Sequence, residues 1–162
     1  MATLECGLLR LRFVRQADRI GQWIDFRTST DAPWSELAHS IEGTADQIWP
    51  PSPPWQHLHL ENRPAGTVAL LLGMSGQAHW SGSIQATADG ILWEIACRTP
   101  GPAEFLGNTW NSHADGQKIP AWRVLEHQHT LTYVKERIVI QASPVAANFP
   151  QTVIWSFMLS LT

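Results

Sequence analysis

Two pairs of histidines have the residue type and the spacing that could support metal binding or catalysis. His57 and His59 are separated by a single residue, and so are His127 and His129. Side chains alternate across a β-strand, so both imidazoles of a pair would point to one face, where they could hold a single metal ion. One hypothesis is therefore a metal-dependent enzyme that uses the two pairs to polarise a substrate or to activate water.

The neighbours of the two pairs predict different surroundings. Leucines alternate with the histidines of the first pair. His57 and His59 are therefore expected to face water or a groove, together with Trp55. The second pair would share its face with apolar side chains, a setting nearer to a pocket or to the edge of the core. Ordinary surface and interior histidines are commoner than metal ligands, so the sequence predicts neither a bound metal nor a cofactor.

Tryptophan is unusually frequent, with nine residues in the chain. Aromatic rings on the open face of a β-sheet stack flat ligands, but tryptophan also fills cores, and core filling is the expected role of most of them. His79 precedes Trp80 in a predicted strand with one polar face. That face would either line a cleft or be an ordinary solvent-exposed surface. The tryptophans considered for ligand contact are Trp55, Trp80, Trp93, Trp110 and Trp122.

Motifs for nucleophilic catalysis and for phosphate binding are absent from the sequence. There is no Gly-x-Ser-x-Gly elbow, no P-loop and no Gly-x-Gly-x-x-Gly loop. Cys6 and Cys97 lie in or beside apolar strand patterns, and two cysteines in a chain of 162 residues do not make a disulfide framework. Both thiols are predicted to stay reduced.

Charge and hydropathy indicate which classes of partner the chain can bind and in which compartment it is expected. With 11 lysines and arginines against 14 acidic residues, the chain lacks the basic field that nucleic-acid binding needs. The N-terminal residues do not resemble a signal peptide, and the longest apolar run, Val68 to Leu72, is too short to span a membrane. The sequence therefore predicts a cytoplasmic protein that binds neither nucleic acid nor membrane.

Alternation of apolar and polar residues predicts strands along most of the chain. At the C-terminus an apolar residue at every second position gives one inward stripe, with serine and threonine on the other face. The same period predicts a strand with Leu9, Leu11 and Phe13 facing inward. The residues of the C-terminal stripe are Val153, Trp155, Phe157, Leu159 and Leu161.

Turns that contain glycine divide residues 55–98 into four alternating runs at hairpin spacing, which predicts a meander of neighbouring strands. Val68 to Leu72 is apolar at every position, so a central strand covered on both sides is expected there. Residues 122–134 and 137–142 are predicted to form a further long hairpin, with Lys135 and Glu136 near the reversal.

Three segments depart from the strand pattern. Apolar residues from Trp34 to Ile41 fall at i, i+3, i+4 and i+7 after a capping aspartate and a proline, which predicts a short helix within residues 31–42. The prolines of residues 50–54 predict a stiff, extended connector. Residues 99–120 have no period and are predicted to form a long loop.

Together these patterns predict a single all-β domain over residues 1–162, an antiparallel β-sandwich or flattened β-barrel of about nine to eleven strands. The leading functional hypothesis is a non-enzymatic module that binds a small ligand or a partner protein, and the alternative is the metal-dependent enzyme described above. Homo-oligomers formed through unpaired edge strands are a third hypothesis. The predicted ligand-binding residues are Trp55, His57, His59, His79, Trp80, Trp110, His127 and His129, and no catalytic or metal-ligating residue is assigned.

Overall fold

The computed structural model of this chain describes residues 1–113, 120–125, 129–143 and 148–160. In these ranges the backbone forms thirteen β-strands in two antiparallel sheets, and none of the described segments is a helix that could cross a membrane. The sheets pack face to face with the apolar core between them. The predicted all-β antiparallel fold is confirmed, and it is the sandwich, because the two sheets do not close on each other. The described residues contain thirteen strands, more than the nine to eleven that the sequence predicts.

The larger sheet has seven strands. They are β1 (Ala2–Cys6), β2 (Leu9–Gln16), β3 (Arg19–Phe26), β4 (Ser35–Ser40), β9 (Gly107–Ser112), β11 (His129–Val134) and β12 (Arg137–Ala142). Across the sheet they lie in the order β1-β2-β3-β4-β9-β12-β11. Because β4 and β9 are neighbours, residues more than seventy positions apart in the chain, such as His39 and Asn111, lie side by side.

The smaller sheet has six strands. They are β5 (Trp55–Arg63), β6 (Gly66–Ser75), β7 (Ala78–Ala86), β8 (Gly90–Thr99), β10 (Ala121–Val124) and β13 (Gln151–Ser160), in the order β10-β13-β8-β7-β6-β5. The meander predicted over residues 55–98 is confirmed as β5 to β8. The expectation that the strand through Val68 to Leu72 is covered on both sides is wrong, because Leu72 is 57% exposed on the outer face.

Strict alternation along β13 supplies one side of the core. Val153, Trp155, Phe157 and Leu159 are all buried, as their spacing predicts, and Leu161 lies outside the described residues. Leu9, Leu11 and Phe13 of β2 are likewise buried from the opposite sheet. Apolar side chains from both inner faces therefore meet in one layer, which is how a β-sandwich excludes water.

Tryptophans fill much of this interior. Trp93 stacks on Phe157 with ring centroids 5.0 Å apart, and Trp110 and Trp122 pack beside them with centroids 5.1 Å from each other. The indole N–H of Trp93 donates to Gln22 Oε1 at 2.8 Å, so the polar edge of the ring is satisfied inside the protein. The core-filling role expected of most tryptophans is therefore the observed one.

The helix predicted within residues 31–42 is wrong, because this segment contains strand β4. Its pairing with β3 shifts register between Ile24 and Asp25, so that Leu37 is an extra residue in β4 and forms a β-bulge. Leu37 and Ala38 are consecutive and both buried. This apolar doublet produced the helical spacing in the sequence.

A strand also lies in residues 99–120, where the sequence predicts only a loop. The first four residues of β9, Gly107 to Trp110, are all buried, so the strand lacks the alternation that identifies a half-buried strand. Ser52 of the proline-rich connector holds β9 from one side, because its hydroxyl donates to the Thr109 carbonyl at 3.1 Å and accepts from the Thr109 N–H at 3.2 Å.

The long hairpin predicted over residues 122–142 is only partly correct. β11 and β12 pair around a reversal at Lys135 and Glu136, as predicted. Trp122, however, lies on β10 and pairs with β13 in the other sheet. The chain therefore changes sheets between these two strands, and alternation alone carries no information about such a change.

Candidate metal centre

The β-bulge in β4 places two polar side chains together on the outer face of the seven-stranded sheet. Glu36 and His39 are three residues apart, a separation that in a regular strand points side chains to opposite faces. The extra residue Leu37 reverses the alternation between them, so both face outward. As a result, His39 Nδ1 lies 2.9 Å from Glu36 Oε1.

His113 completes this group from the neighbouring strand. It follows the last residue of β9, and its backbone N–H donates to the carbonyl of the bulged Leu37 at 2.8 Å. His113 Nε2 is 3.2 Å from His39 Nδ1 and 3.4 Å from Glu36 Oε1. Glu36, His39 and His113 are hereafter called the His-Glu cluster.

The three facing atoms of the His-Glu cluster are spaced as the ligands of one metal ion would be. Zinc binds imidazole nitrogen and carboxylate oxygen at about 2.0–2.2 Å, so two ligand atoms at tetrahedral angles are about 3.3–3.6 Å apart. The observed separations are 2.9, 3.2 and 3.4 Å. Only small side-chain shifts separate this arrangement from a ligating geometry. In the part of the chain that the structure describes, no other three His, Cys, Asp or Glu side chains converge in this way.

Three neighbouring side chains fix the orientation of the cluster. Trp23 pairs with His39 across β3 and β4 and stacks on its imidazole, with centroids 6.0 Å apart and planes 23° from parallel. Asn111, which pairs with His39 on β9, places its side-chain nitrogen 3.2 Å from His39 Nε2. Arg12 Nη2 lies 3.9 Å from Glu36 Oε2, which leaves Oε1 to face the histidines. Partners of this kind orient the ligands of metal sites.

An ion-pair network on β2 and β3 borders the cluster. Asp25 is buried and accepts from Arg12 through both carboxylate oxygens, at 2.6 and 2.9 Å. Arg10 Nη2 lies 2.7 Å from the same carboxylate. The two guanidinium groups balance the two carboxylates of Asp25 and Glu36, so these four side chains together carry no net charge.

Three of the residues predicted from the sequence come together on the other sheet. His57 and His59 are exposed and share the outer face of β5, as predicted, but no third ligand group joins them among the described residues. On β7, His79 is exposed and Trp80 points inward. A cleft of about 440 Å³ is lined by His57, His79 and Trp80 together with residues that include Leu72, Met74 and Arg98.

The remaining predicted residues do not form a surface site. The expectation that Trp55 faces outward with His57 is wrong, because the register shifts between them and Trp55 is only 1% exposed. Trp110 is wholly buried in the aromatic core. His129 is buried at the start of β11, and His127 lies outside the described residues, so a site at the second histidine pair stays a prediction.

Another cleft, of about 690 Å³, lies at one end of the sandwich and contains a cysteine. Cys6 Sγ donates to the carbonyl of Thr87 at 3.1 Å, and burial raises the pKa of this thiol. Burial also raises the pKa of Cys97 to about 12. Neither thiol is therefore activated as a nucleophile, and the size of this cleft does not by itself indicate chemistry.

A buried carboxyl group follows β4. Ser40 Oγ donates to Glu42 Oε1, while Glu42 Oε2 is buried without a hydrogen-bond partner among the described residues. Burial raises the pKa of Glu42 to about 7, against the hydrogen bond from Ser40 and the charge of Arg19, which both lower it. Glu42 therefore changes its charge near neutral pH, which makes it a determinant of stability rather than a surface ligand.

None of three comparisons, with protein-family profiles, with curated proteins and with solved structures, finds a protein to which this chain is similar.

The sequence reasoning missed all three residues of the His-Glu cluster. One signal could have found two of them: the apolar doublet Leu37-Ala38 lies between Glu36 and His39. A bulge at such a doublet keeps both apolar side chains on the buried face, as observed here, and puts the two flanking residues, three apart, on the other face. No pattern in the sequence links His113 to these residues, because that contact depends on the pairing of β4 with β9.

Proposed function

We propose that this protein binds one divalent transition-metal ion, of the zinc type, at the His-Glu cluster. The observation that carries the proposal is the convergence of Glu36 Oε1, His39 Nδ1 and His113 Nε2 within 3.4 Å of one another. Two imidazoles and one carboxylate are a ligand set of catalytic zinc sites and of non-haem iron sites. Three protein ligands leave at least one coordination position open.

The exposure of the cluster supports a site that exchanges ligands. The side chain of His113 is 51% exposed and that of Glu36 is 36% exposed. A structural zinc site is closed by four protein ligands, whereas an open position takes up water or a ligand oxygen and polarises it. The proposed role is therefore to present an ion to an external ligand on the outer face of the seven-stranded sheet.

A zinc titration of the chelator-treated protein tests this proposal. Calorimetry is expected to show one zinc ion per chain. Glu36→Gln should weaken zinc binding by more than about 100-fold, because loss of an outer partner of a ligand alone costs about 10–100-fold. The matched control is Glu94→Gln, at an exposed position on the outer face of the other sheet, which should bind zinc like the wild type.

Two results would contradict the proposal. One is wild-type protein that holds less than about a tenth of an equivalent of metal after expression with added metal and removal of the excess. The other is equal zinc affinity in the wild type and Glu36→Gln, which would place the ion elsewhere.

A second candidate function is the binding of a small organic anion in the cleft beside β7. The cleft volume of about 440 Å³ lies within the range of small-molecule sites. It combines the cationic side chain of Arg98 and two imidazoles with the exposed apolar side chains of Leu72 and Met74, and none of the described residues that line it is acidic. This combination favours a ligand with an apolar body and a negative group.

Octanoate and octylammonium form a matched pair of probes for the cleft, since they share a chain length and differ in charge. Octanoate is expected to bind saturably in a calorimetric titration, and Arg98→Gln should abolish this binding, while octylammonium should not bind. Equal responses to the two probes would contradict an anion site. The control variant is Arg123→Gln, which lies outside this cleft.

A further inference from the structure

Asn111 contacts His39, one of the three ligands of the proposed metal site, and the following inference rests on that proposed site. The two residues pair directly across β9 and β4, and their side chains lie together on the outer face. Asn111 Nδ2 is 3.2 Å from His39 Nε2, while the other ring nitrogen, Nδ1, is 2.9 Å from Glu36 Oε1. Both ring nitrogens of His39 are thus in contact with polar groups, Nδ1 with a carboxylate and Nε2 with an amide.

Without a metal, these two contacts select one form of the neutral ring. A carboxylate oxygen only accepts, so His39 Nδ1 must carry the proton that is donated to Glu36. His39 Nε2 then bears a lone pair, and the amide N–H of Asn111 donates to it. With the proton on Nδ1, the contacts with Glu36 and Asn111 are both satisfied, and His113 Nε2, 3.2 Å from His39 Nδ1, faces that proton with its lone pair.

A metal ion in the His-Glu cluster requires the opposite form. The nitrogen that faces Glu36 and His113 is His39 Nδ1, and it can bind an ion only through a free lone pair. The ring proton must then move to Nε2, where it needs an acceptor. The Asn111 amide becomes that acceptor when it rotates and presents Oδ1 in place of Nδ2.

We infer that Asn111 is the positioning residue of this site: its amide turns over when a metal binds, and it thereby holds His39 in the metal-free tautomer first and in the metal-bound tautomer afterwards. Asparagine suits this role because its side chain carries both a donor and an acceptor. Aspartate at the same position would support only the metal-bound form, and leucine would support neither.

Two substitutions with opposite expected effects test the inference. Asn111→Asp should bind zinc about threefold to tenfold more tightly than the wild type, because a carboxylate raises the basicity of the ligating imidazole. Asn111→Leu should bind about 10–100-fold more weakly, because the Nε2 proton loses its acceptor. The control is Gln141→Leu, an exposed polar-to-apolar change on the outer face of β12, which should leave zinc affinity unchanged.

Nitrogen-15 NMR of the imidazoles provides a readout that a merely structural role of Asn111 would not move. In slightly alkaline buffer the metal-free wild type should show His39 protonated on Nδ1, and one equivalent of zinc should move that proton to Nε2. In Asn111→Leu the metal-free ring should stay protonated on Nδ1, because Glu36 still accepts that proton, but moving the proton to Nε2 should take about 10–100-fold more zinc than in the wild type.

The outcomes separate this inference from the proposed function. If the wild type does not bind zinc, the proposed metal site is wrong and this inference fails with it. If the wild type binds zinc and Asn111→Asp and Asn111→Leu bind equally well, the metal site stands and only the role of Asn111 is wrong. A metal-free His39 protonated on Nε2 would overturn the inference in the same way.

Discussion

Strands β8 and β13 pair through ten consecutive residues without a shift, whereas β3 and β4 pair through four residues with an extra one between them. The first arrangement keeps Trp93, Trp155 and Phe157 on one buried face. The second turns Glu36 and His39 to the same outer face, where a regular strand would separate them. Regular pairing thus builds the core, and a single irregularity builds the candidate metal centre.

The two regions are expected to control different properties of the protein, stability in one case and metal affinity in the other. A regular strand collects apolar side chains into one layer, and burying that layer is the main source of stability. A bulge costs pairing but re-aims side chains, and bulges are frequent beside functional sites. We therefore expect substitutions in the core to change the free energy of unfolding, and substitutions in the His-Glu cluster to change metal affinity.

Trp93→Ala should give the largest effect on the core side of the comparison. Trp93 is fully buried and packs against Phe157, and removal of such a side chain costs about 3–5 kcal/mol of the free energy of unfolding. Urea denaturation measures this loss, and the protein that stays folded should bind zinc like the wild type. Leu72→Ala, at an exposed position on β6, should change stability by less than about 0.5 kcal/mol. Equal losses of unfolding free energy from the two substitutions would contradict the assignment of the core to the regularly paired strands.

His39→Ala should give the largest effect on the metal side. Loss of a ligating imidazole is expected to weaken zinc binding by more than about 100-fold, which corresponds to about 3 kcal/mol. The loss of stability should be near 1 kcal/mol, because His39 is partly exposed and makes one stacking contact with Trp23. His57→Ala is the matched control on the other sheet and should leave zinc affinity unchanged. Weaker binding in His57→Ala would move the site to the predicted histidine pair.

Glu42→Gln should remove a pH dependence of stability that originates just after β4. The folded-state pKa of Glu42, about 7, lies above its ordinary value of 4.5, so between these values the folded protein binds more protons than the unfolded chain. Stability is then complete below the ordinary pKa and falls as the pH rises through about 7, by about 2 kcal/mol between pH ~5 and pH ~8. Chemical denaturation across this range should show a flatter profile for the variant. An identical slope in the two proteins would contradict the burial of this carboxyl group.

Trp23→Leu should give the smallest of these effects. It measures how much the stacking of Trp23 on His39 contributes to zinc affinity. The indole restricts the His39 ring, and loss of one aromatic contact is worth about 0.5–1 kcal/mol. Zinc affinity should therefore fall by about twofold to fivefold in a calorimetric titration. A loss as large as that of His39→Ala would show that Trp23 is needed to form the site at all.

The sequence was sufficient to predict the regular parts of the fold. Val153, Trp155, Phe157 and Leu159 follow a strict period of two, and glycine turns separate β5 to β8, so strands and their neighbours could be assigned. Both signals are local in the chain, and both depend on one physical fact, that successive side chains of a strand point to opposite faces.

The candidate site could not be predicted in the same way, because it depends on departures from that alternation. The bulge at Leu37 made β4 resemble a helix, and a second register shift turned Trp55 away from His57. Full burial of residues 107–110 hid β9, and with it the pairing that brings His113 to Glu36. Sequence spacing predicts which residues share a face only where the strand is regular.

Anomalous diffraction at the zinc edge, from crystals of the zinc-loaded protein, locates the ion directly. If the His-Glu cluster holds the ion, one strong peak per chain should lie at about 2.0–2.2 Å from Glu36 Oε1, His39 Nδ1 and His113 Nε2. A peak between His57 and His59, or zinc-loaded crystals without a peak at the bulge of β4, would contradict it.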